Sequence, residues 1–529
     1  MLQTIKIESI LGGHAPTSHF AGEGQFLTSI GIDPGLRSSG TFGDLASGLL
    51  NPIGSAKFSS DKLSAFPMWL EMNPKNVSAY CYDSAGEVYS MTGAFNSLTA
   101  LSALSPSTGN GMAYYDNYLY CAKNTDIARY GPLNGSPTWD TQFWDATISA
   151  QAMSAVTYPV TSQGFNYSNH VMHRHSDNKL YIADVSASNE GILNYIKTSR
   201  TSVEGDTNNG STYGALKFPY GFWPTAIESY GTDLAIALHE GTNSSSSYPK
   251  QTNAKIAFWD TTSTSYNKIT YVEFPDPIIA GLKNVNGVLY VASGQVSQNG
   301  FRISRFVGGY TFEEVYYTGS GEVPLQGAMD GNSNRLLLGA YYSELAASGC
   351  VYSYGLQQSN LGQGLFNTMS IENTSGVITA LKLMGNDGLW TDTPIIGWST
   401  GTASAGFNYL AKKSLVNYTS SPCYWWSQIF RVGQPFQIKK IRIPLAATMA
   451  ANMTITAKVY TDDGNGTTFT MPTINNTNYP SAQNVVLRTD SSKNIPKGEH
   501  NFFLELKWTG TVALPVGLPI TIEIETLDD

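Results

Sequence analysis

The chain has 529 residues, and only 13% of them are charged, against roughly 25% in an average soluble domain. A formal net charge of −9 disfavours a nucleic-acid backbone as a partner, and four cysteines without a CxxC pair exclude a disulfide framework. Gly, Ser, Thr, Asn and Tyr replace the charged residues. This composition is more typical of extracellular or virion proteins than of cytosolic enzymes.

Residues 1–65 precede the first copy of a repeat that fills the middle of the chain. Their Gly-, Ser- and Pro-rich stretch, 12–43, predicts an extended arm that packs on the rest of the chain or on a neighbouring subunit. Residues 1–8 lack a basic segment followed by an apolar one, so we expect no export signal.

Residues 66–412 repeat a short phrase: a turn, then Leu, an aromatic or apolar β-former and a small residue. Its clearest copies are DNYLYCA (116–122), DNKLYIA (177–183) and NGVLYVA (286–292). Asn, Asp and Gly accept the positive φ of a tight hairpin turn, and the residues after the turn favour a strand. Each copy therefore predicts a turn that leads into an inner strand.

The repeat recurs about every fifty residues. Its anchor residues stand at positions 88, 119, 180, 234, 289, 336 and 389. Units of this length with several short strands are typical of β-propeller blades, which stack in a ring because one blade cannot bury both of its faces. We predict about seven blades, with six or eight as alternatives because the first interval is short.

The pattern changes to strict alternation in residues 420–529. Alternating apolar residues separated by Gly-, Asn- and Pro-containing turns predict an antiparallel, jelly-roll-like β-sandwich. The apolar stretch 512–524 contains Pro515 and Pro519, so we expect no membrane span. The predicted fold class is all-β, a propeller followed by a sandwich.

Three histidines close together, His170, His173 and His175, are the candidate metal ligands. In a strand, His173 and His175 share one face and His170 lies on the other, so a solvated or hydrogen-bonded cluster is the alternative. We predict no cofactor.

Three aromatic residues, Tyr424, Trp425 and Trp426, stand near the start of the predicted sandwich. They could stack on sugar rings, or they could pack the sandwich against the propeller, which we favour because large aromatics dominate buried contacts.

Paired carboxylates for glycoside hydrolysis have candidates in Asp83, Asp116, Asp177 and Asp233, but all four stand in the turns of the repeat. A structural role explains them, and we find neither a nucleophile elbow nor a phosphate-binding glycine loop in the sequence. We therefore expect no enzyme.

The whole layout, a Gly-rich arm, a propeller of low charge and a C-terminal sandwich, resembles tail and other virion structural proteins of bacteriophages. The resemblance implies a non-enzymatic virion protein, made in the host cytoplasm, that assembles with copies of itself and other virion proteins and contacts cell-surface glycan. The alternatives are an extracellular glycan-binding or glycan-hydrolysing propeller and a cellular propeller scaffold for protein partners.

Overall fold

A computed structural model describes most of the chain and confirms the all-β prediction. The described residues contain strands, turns and two 3-10 turns, Tyr266–Lys268 and Gln326–Ala328, and no α-helix. A helix with the length and hydropathy of a membrane span is likewise absent from them. The described residues are 1–10, 12–15, 24–32, 50, 54–57, 63–74, 78–91, 97–104, 109–123, 126–144, 156–157, 166–167, 170–185, 190–197, 203–204, 215–240, 254–294, 300–317, 326–331, 335–341, 349–358, 361–371, 376–386, 389–400, 408–414, 423–446, 448–449, 451–462, 468–480, 484–489, 496–510 and 516–527.

The strands are numbered in chain order. Those of the first half are β1 Leu2–Ile7, β2 Gly13–His14, β3 Gln25–Ile30, β4 Gly54–Lys57, β5 Pro67–Asn73, β6 Ser78–Asp83, β7 Glu87–Met91, β8 Leu98–Ala103, β9 Gly109–Tyr115, β10 Tyr118–Lys123, β11 Asp126–Gly131, β12 Thr138–Trp144, β13 Val156–Thr157, β14 Asn166–Tyr167, β15 Met172–Arg174, β16 Leu180–Val185, β17 Glu190–Ile196, β18 Val203–Glu204, β19 Leu216–Tyr220, β20 Phe222–Tyr230, β21 Asp233–Glu240 and β22 Lys255–Trp259. Those of the second half are β23 Thr270–Glu273, β24 Ile278–Val285, β25 Val288–Gly294, β26 Phe301–Gly308, β27 Thr311–Tyr317, β28 Met329–Gly331, β29 Arg335–Tyr341, β30 Gly349–Gln358, β31 Leu361–Ser370, β32 Val377–Asn386, β33 Leu389–Ser399, β34 Asn408–Ser414, β35 Cys423–Ser427, β36 Phe430–Arg431, β37 Phe436–Pro444, β38 Met453–Thr461, β39 Thr468–Thr470, β40 Ile474–Asn475, β41 Asn484–Arg488, β42 Lys497–Gly498, β43 Asn501–Gly510 and β44 Ile520–Thr526.

The chain forms two compact units. The first unit contains residues 1–56, 350–374 and 413–529, and the second unit contains residues 57–349 and 375–412. Two sheets build the first unit: β1-β44-β37-β41, with β42 on β37, and β2-β3-β35-β43-β38-β39, with β36 on β43 and β40 on β38. All pairs in them are antiparallel except β2–β3.

One hydrophobic core lies between these two sheets, and it follows the predicted alternation. In β38 every second residue is buried, from Met453 to Val459, and in β44 Ile520, Ile522 and Ile524 are buried. Both sheets contribute to a single cluster of buried residues. The period of two in the sequence thus fixes which face of each strand enters the core.

The described N-terminal residues form strands of the first unit, whereas residues 16–23 and 33–49 of the predicted arm lie outside the described residues. Strand β1 pairs along its whole length with β44, and β3 pairs with β35. Phe26 and Ile7 are buried in the shared core. In β3 every residue except Gln25 and Leu27 is buried, so it is an interior strand, which a count of Gly, Ser and Pro residues does not reveal.

The second unit consists of small antiparallel sheets that follow one another along the chain. Four of them have four strands in chain order, and a fifth adds β19 to β15-β16-β17-β18. They are β5–β8, β9–β12, β15–β19, β20–β23 and β24–β27, and they are followed by the pair β28–β29 and by β32-β33-β34.

The hairpin turns have the geometry that the repeat predicts. Asp116 and Asn117 have φ values of 44° and 67° and form a two-residue loop between Tyr115 and Tyr118. Asn286 and Gly287, at 51° and 81°, do the same between β24 and β25. Positive φ at both loop residues matches the twist of the flanking strands, which is why Asn and Gly stand there.

The first strand of each sheet in the second unit contacts the first strand of the next sheet. The succession is β5, β9, β15, β20, β24, β28 and β32, and β32 in turn contacts β5. Buried residues of the first and last sheets share one cluster, which includes Leu70, Cys81, Met384 and Ile395. The first and last sheets of this unit therefore bury side chains against each other.

One copy of the repeat lies in a different place from the others. Val88 stands on β7, the third strand of its sheet, whereas the other six anchors stand on second strands. The phrase marks any turn that leads into a buried strand, so it does not identify which hairpin of a sheet it belongs to. The first copy therefore lies one hairpin later in its sheet than the other copies, which shortens the interval to the second anchor.

Candidate functional site

Ionisable side chains occupy one equivalent position on six of the seven first strands. In β5, β20, β24 and β32 that position follows a β-bulge, which shifts the register just before residues 69, 226, 281 and 380. On β9 the equivalent residue is Ala113, opposite Tyr120. The six residues, here called the charged cluster, are Glu71, His173, Glu228, Lys283, Asp330 and Lys382.

Ion pairs join members of the charged cluster on successive strands. Lys283 Nζ lies 2.9 Å from Asp330 Oδ1 on one side and 3.8 Å from Glu228 Oε2 on the other. Lys382 Nζ lies 3.5 Å from Glu71 Oε1, across the contact between the last and first sheets. A backbone bond adds to these pairs, because Leu383 N–H donates to Asp330 Oδ2 over 2.8 Å.

The two most buried carboxylates of the charged cluster have pKa values that shift in opposite directions. Burial tends to raise the pKa of Asp330, but Lys283, Lys382 and the Leu383 N–H outweigh it and lower that pKa. Burial raises the pKa of Glu228, and the longer contact with Lys283 does not compensate it. The lysine beside both carboxylates keeps its proton, since their charges raise the pKa of Lys283 against the effect of burial.

The three candidate metal ligands do not converge on one point. His173 Nε2 and His175 Nδ1 lie 2.8 and 2.9 Å from the Ser229 hydroxyl, whereas His170 Nδ1 lies 3.1 Å from the Ala183 carbonyl oxygen. His173 is also 4.0 Å from Glu228. Burial, with Lys283 nearby, lowers the pKa of His173 to about 3, so its imidazole is neutral at pH 7. Two of the three histidines thus share a serine.

A metal site built on these histidines stays a prediction. Within the described ranges, no group of three or more His, Cys, Asp or Glu side chains has an arrangement that could hold a metal ion. The Ser229 hydroxyl supplies a hydrogen-bond partner to both His173 and His175.

The three aromatic candidates lie on β35 in the first unit and point to both sides of its sheet. Trp425 is buried in the core of that unit. Trp426 packs on Tyr460 and Phe503, with ring centroids 5.7 and 5.4 Å apart, and its indole N–H donates to Glu505 over 2.9 Å. Tyr424 lies 6.1 Å from Trp426 on the same side. Trp425 therefore packs in the interior, away from a sugar or a partner.

Two of the four turn carboxylates, Asp83 and Asp177, stabilise their own hairpins. Asp83 Oδ1 accepts hydrogen bonds from the backbone N–H groups of Ala85 and Glu87 over 3.0 and 2.8 Å. Asp177 accepts a bond from Lys179 N–H and another from the Tyr181 hydroxyl. These contacts are the local side-chain bonds expected of Asp in a turn.

The charged cluster was missed by the sequence analysis, although the sequence contains a signal for it. Glu228, Lys283 and Asp330 each stand six residues before the repeat leucine, at 234, 289 and 336. With His173 neutral, three carboxylates and two ammonium groups leave one formal negative charge, so the cluster can hold strands together or bind a polar ligand.

Two histidines outside the cluster, the buried His239 and the half-buried His14, predict that acid destabilises the protein before most carboxylates are protonated. Burial lowers the pKa of His239 to about 3 and that of His14 to about 4, against 6.5 in the unfolded chain. Each contributes stability that is complete above pH 6.5 and is lost as the pH falls, by about 1.4 kcal/mol per pH unit. The free energy of unfolding, measured by thermal unfolding between pH 7.5 and pH 5, should fall with this slope. His239→Gln should flatten it, and the same change at the exposed His500 should not; equal slopes would contradict the expectation.

No protein-family model matches the sequence, and no curated protein matches it. What the protein does must therefore be inferred from its own sheets, charges and exposed side chains.

Proposed function

We propose that the second unit is a seven-bladed β-propeller and that the first unit is a β-sandwich. The succession of first strands from β5 to β32, and the contact of β32 with β5, support a closed ring. The close approach of Gly397 to Pro67 supports the same closure, because a Cβ at Gly397 would lie 2.5 Å from Pro67 Cγ. The common core of its two sheets supports the sandwich.

On this fold, the protein is a non-enzymatic structural component of a virion, in a tail or surface projection, that assembles with copies of itself and other virion proteins. The observation that carries the proposal is the pairing of the charged cluster. Its carboxylates contact lysines of neighbouring strands, so the cluster holds successive blades together. A ring also protects the edges of its sheets, which suits a protein packed at high local concentration.

One observation favours the second candidate, a glycan-hydrolysing propeller. Glu228 and Asp330 lie on either side of Lys283, and their pKa values shift in opposite directions. Glycosidases use such a pair, with one protonated acid and one carboxylate. In this chain the lysine between them neutralises the carboxylates, which favours the structural role.

The proposal predicts that the chain copurifies with particles. Virions or other large particles from the native source are separated on a density gradient, and the peptides of this chain are quantified by mass spectrometry in each fraction. We expect the peptides to follow the particles and the purified chain to leave oligosaccharides intact. Peptides confined to soluble fractions would overturn the proposal, and hydrolysis that is abolished by Glu228→Gln would favour the second candidate.

A further inference from the structure

Exposed tyrosines gather at the outer strands of two neighbouring sheets of the second unit. Tyr220, at the end of β19, is 72% exposed, and Tyr271 on β23 is 46% exposed. The 3-10 turn that carries Tyr266 contacts β19. Together with Phe222 these residues form what is here called the aromatic platform: Tyr220, Phe222, Tyr266 and Tyr271.

Neighbouring side chains hold Tyr266 and Tyr271 in a fixed arrangement. Tyr266 and Tyr271 stack with ring centroids 5.6 Å apart and an interplanar angle of 18°. The buried Phe218 meets Tyr266 edge-on at 5.8 Å, and Tyr220 ends the strand that carries Phe218. Rings that are fixed before a ligand arrives lose little entropy when it binds.

One ion pair supplies polar groups beside the rings. Lys255 Nζ lies 4.8 Å from the Phe222 ring and 4.7 Å from the Tyr271 ring. Glu273 Oε1 lies 3.8 Å from the same ammonium group, so the two charges balance. The aromatic platform and this ion pair together offer apolar ring surface, tyrosine hydroxyls, one cation and one anion, without a net charge.

We infer that the aromatic platform binds a neutral glycan. A pyranose ring has an apolar C–H face that stacks on a tyrosine and a rim of hydroxyls that bond to Lys, Glu and Tyr groups. The balanced charges give a polyanionic glycan no electrostatic advantage. None of the residues of this site belongs to the charged cluster, so the inference does not depend on the proposed role in a virion.

The inference is tested by native affinity electrophoresis of the full chain in gels that contain dextran, hydroxyethylcellulose, mixed-linkage β-glucan or galactomannan, with polygalacturonate as the acidic probe. We expect at least one neutral polymer to retard the protein. Tyr271→Ala and Tyr220→Ala should each weaken that binding about tenfold, the equivalent of one lost aromatic contact.

The matched control is Tyr310→Ala, since Tyr310 is 56% exposed in the turn between β26 and β27 and lies outside the aromatic platform. It should bind like the wild type, and all three variants should keep the wild-type melting temperature. Failure of every neutral polymer, binding to polygalacturonate alone, or equal weakening by Tyr310→Ala would overturn the inference. A dimer that Tyr271→Ala dissociates would show that a second copy occupies the surface. Particle fractionation tests the proposed function without these polymers, so a negative result in one experiment leaves the outcome of the other unaffected.

Discussion

Gly111→Ala is expected to unfold the second unit or to leave it at least about 3 kcal/mol less stable, beyond the usual cost of overpacking. A Cβ at Gly111, on β9, would overlap the carbonyl oxygen of His170, which lies two residues before β15. A backbone carbonyl cannot rotate away as the end of a side chain can. The two sheets would have to separate, and the cluster of buried residues that they share would be exposed. Urea unfolding, followed by circular dichroism, measures the loss.

The control for this substitution is Gly135→Ala. The nearest atoms to a Cβ at Gly135 belong to Pro132 and lie 3.9 Å away, an ordinary contact. The free energy of unfolding of this variant should equal that of the wild type within about 0.5 kcal/mol. Equal stability of the Gly111 and Gly135 variants would show that the sheets are not held at the spacing described here.

Lys283→Met is expected to cost roughly 2–4 kcal/mol at pH 7.5, somewhat less than a fully buried ion pair because the lysine is partly exposed. The variant leaves Asp330 and Glu228, whose side chains are 7% and 12% exposed, without the ammonium group between them. Lys268→Met changes an exposed lysine and should cost less than about 0.5 kcal/mol. Adding Asp330→Asn should recover part of the loss, since one uncompensated charge is removed.

The loss of stability in Lys283→Met is expected to depend on pH. In the wild type the lowered pKa of Asp330 gives stability that is present above pH 3.8 and is lost as the pH falls below it. Without Lys283 the pKa values of both carboxylates are expected to rise, so the variant gains stability relative to the wild type on acidification. The difference in unfolding free energy should shrink between pH 7.5 and pH 4.5. A constant difference would assign the loss to packing of the lysine stem.

Short-range chemistry made much of the fold predictable. The turn at Asp116 and Asn117 and the alternation in β38 follow from backbone sterics and a period of two, both of which are visible in the sequence. The place of residues 1–56 was not predictable in this way. Strand β1 pairs with β44, and nothing in a local window identifies a partner more than five hundred residues away.

The candidate sites were less predictable than the fold. His173 and His175 share a face, as strand geometry requires, but their common partner Ser229 comes from another strand. The lysines and carboxylates of the charged cluster resemble solvated residues when each is considered alone. Their equivalent positions on the first strands become visible only when the strand pairings of successive sheets are compared. The aromatic platform depends on which tyrosines remain exposed, which burial decides and composition does not.

The first unit is discontinuous in the chain, and this has a consequence for biosynthesis. Its earliest strand, Leu2–Ile7, pairs with Ile520–Thr526, so a ribosome moving at 5–20 residues per second completes the pairing partner roughly 30–100 s later. Throughout that time Ile7 and Phe26, which end up in the core, have no completed core to enter. Nascent chains of this protein should therefore depend on a holding chaperone until translation ends.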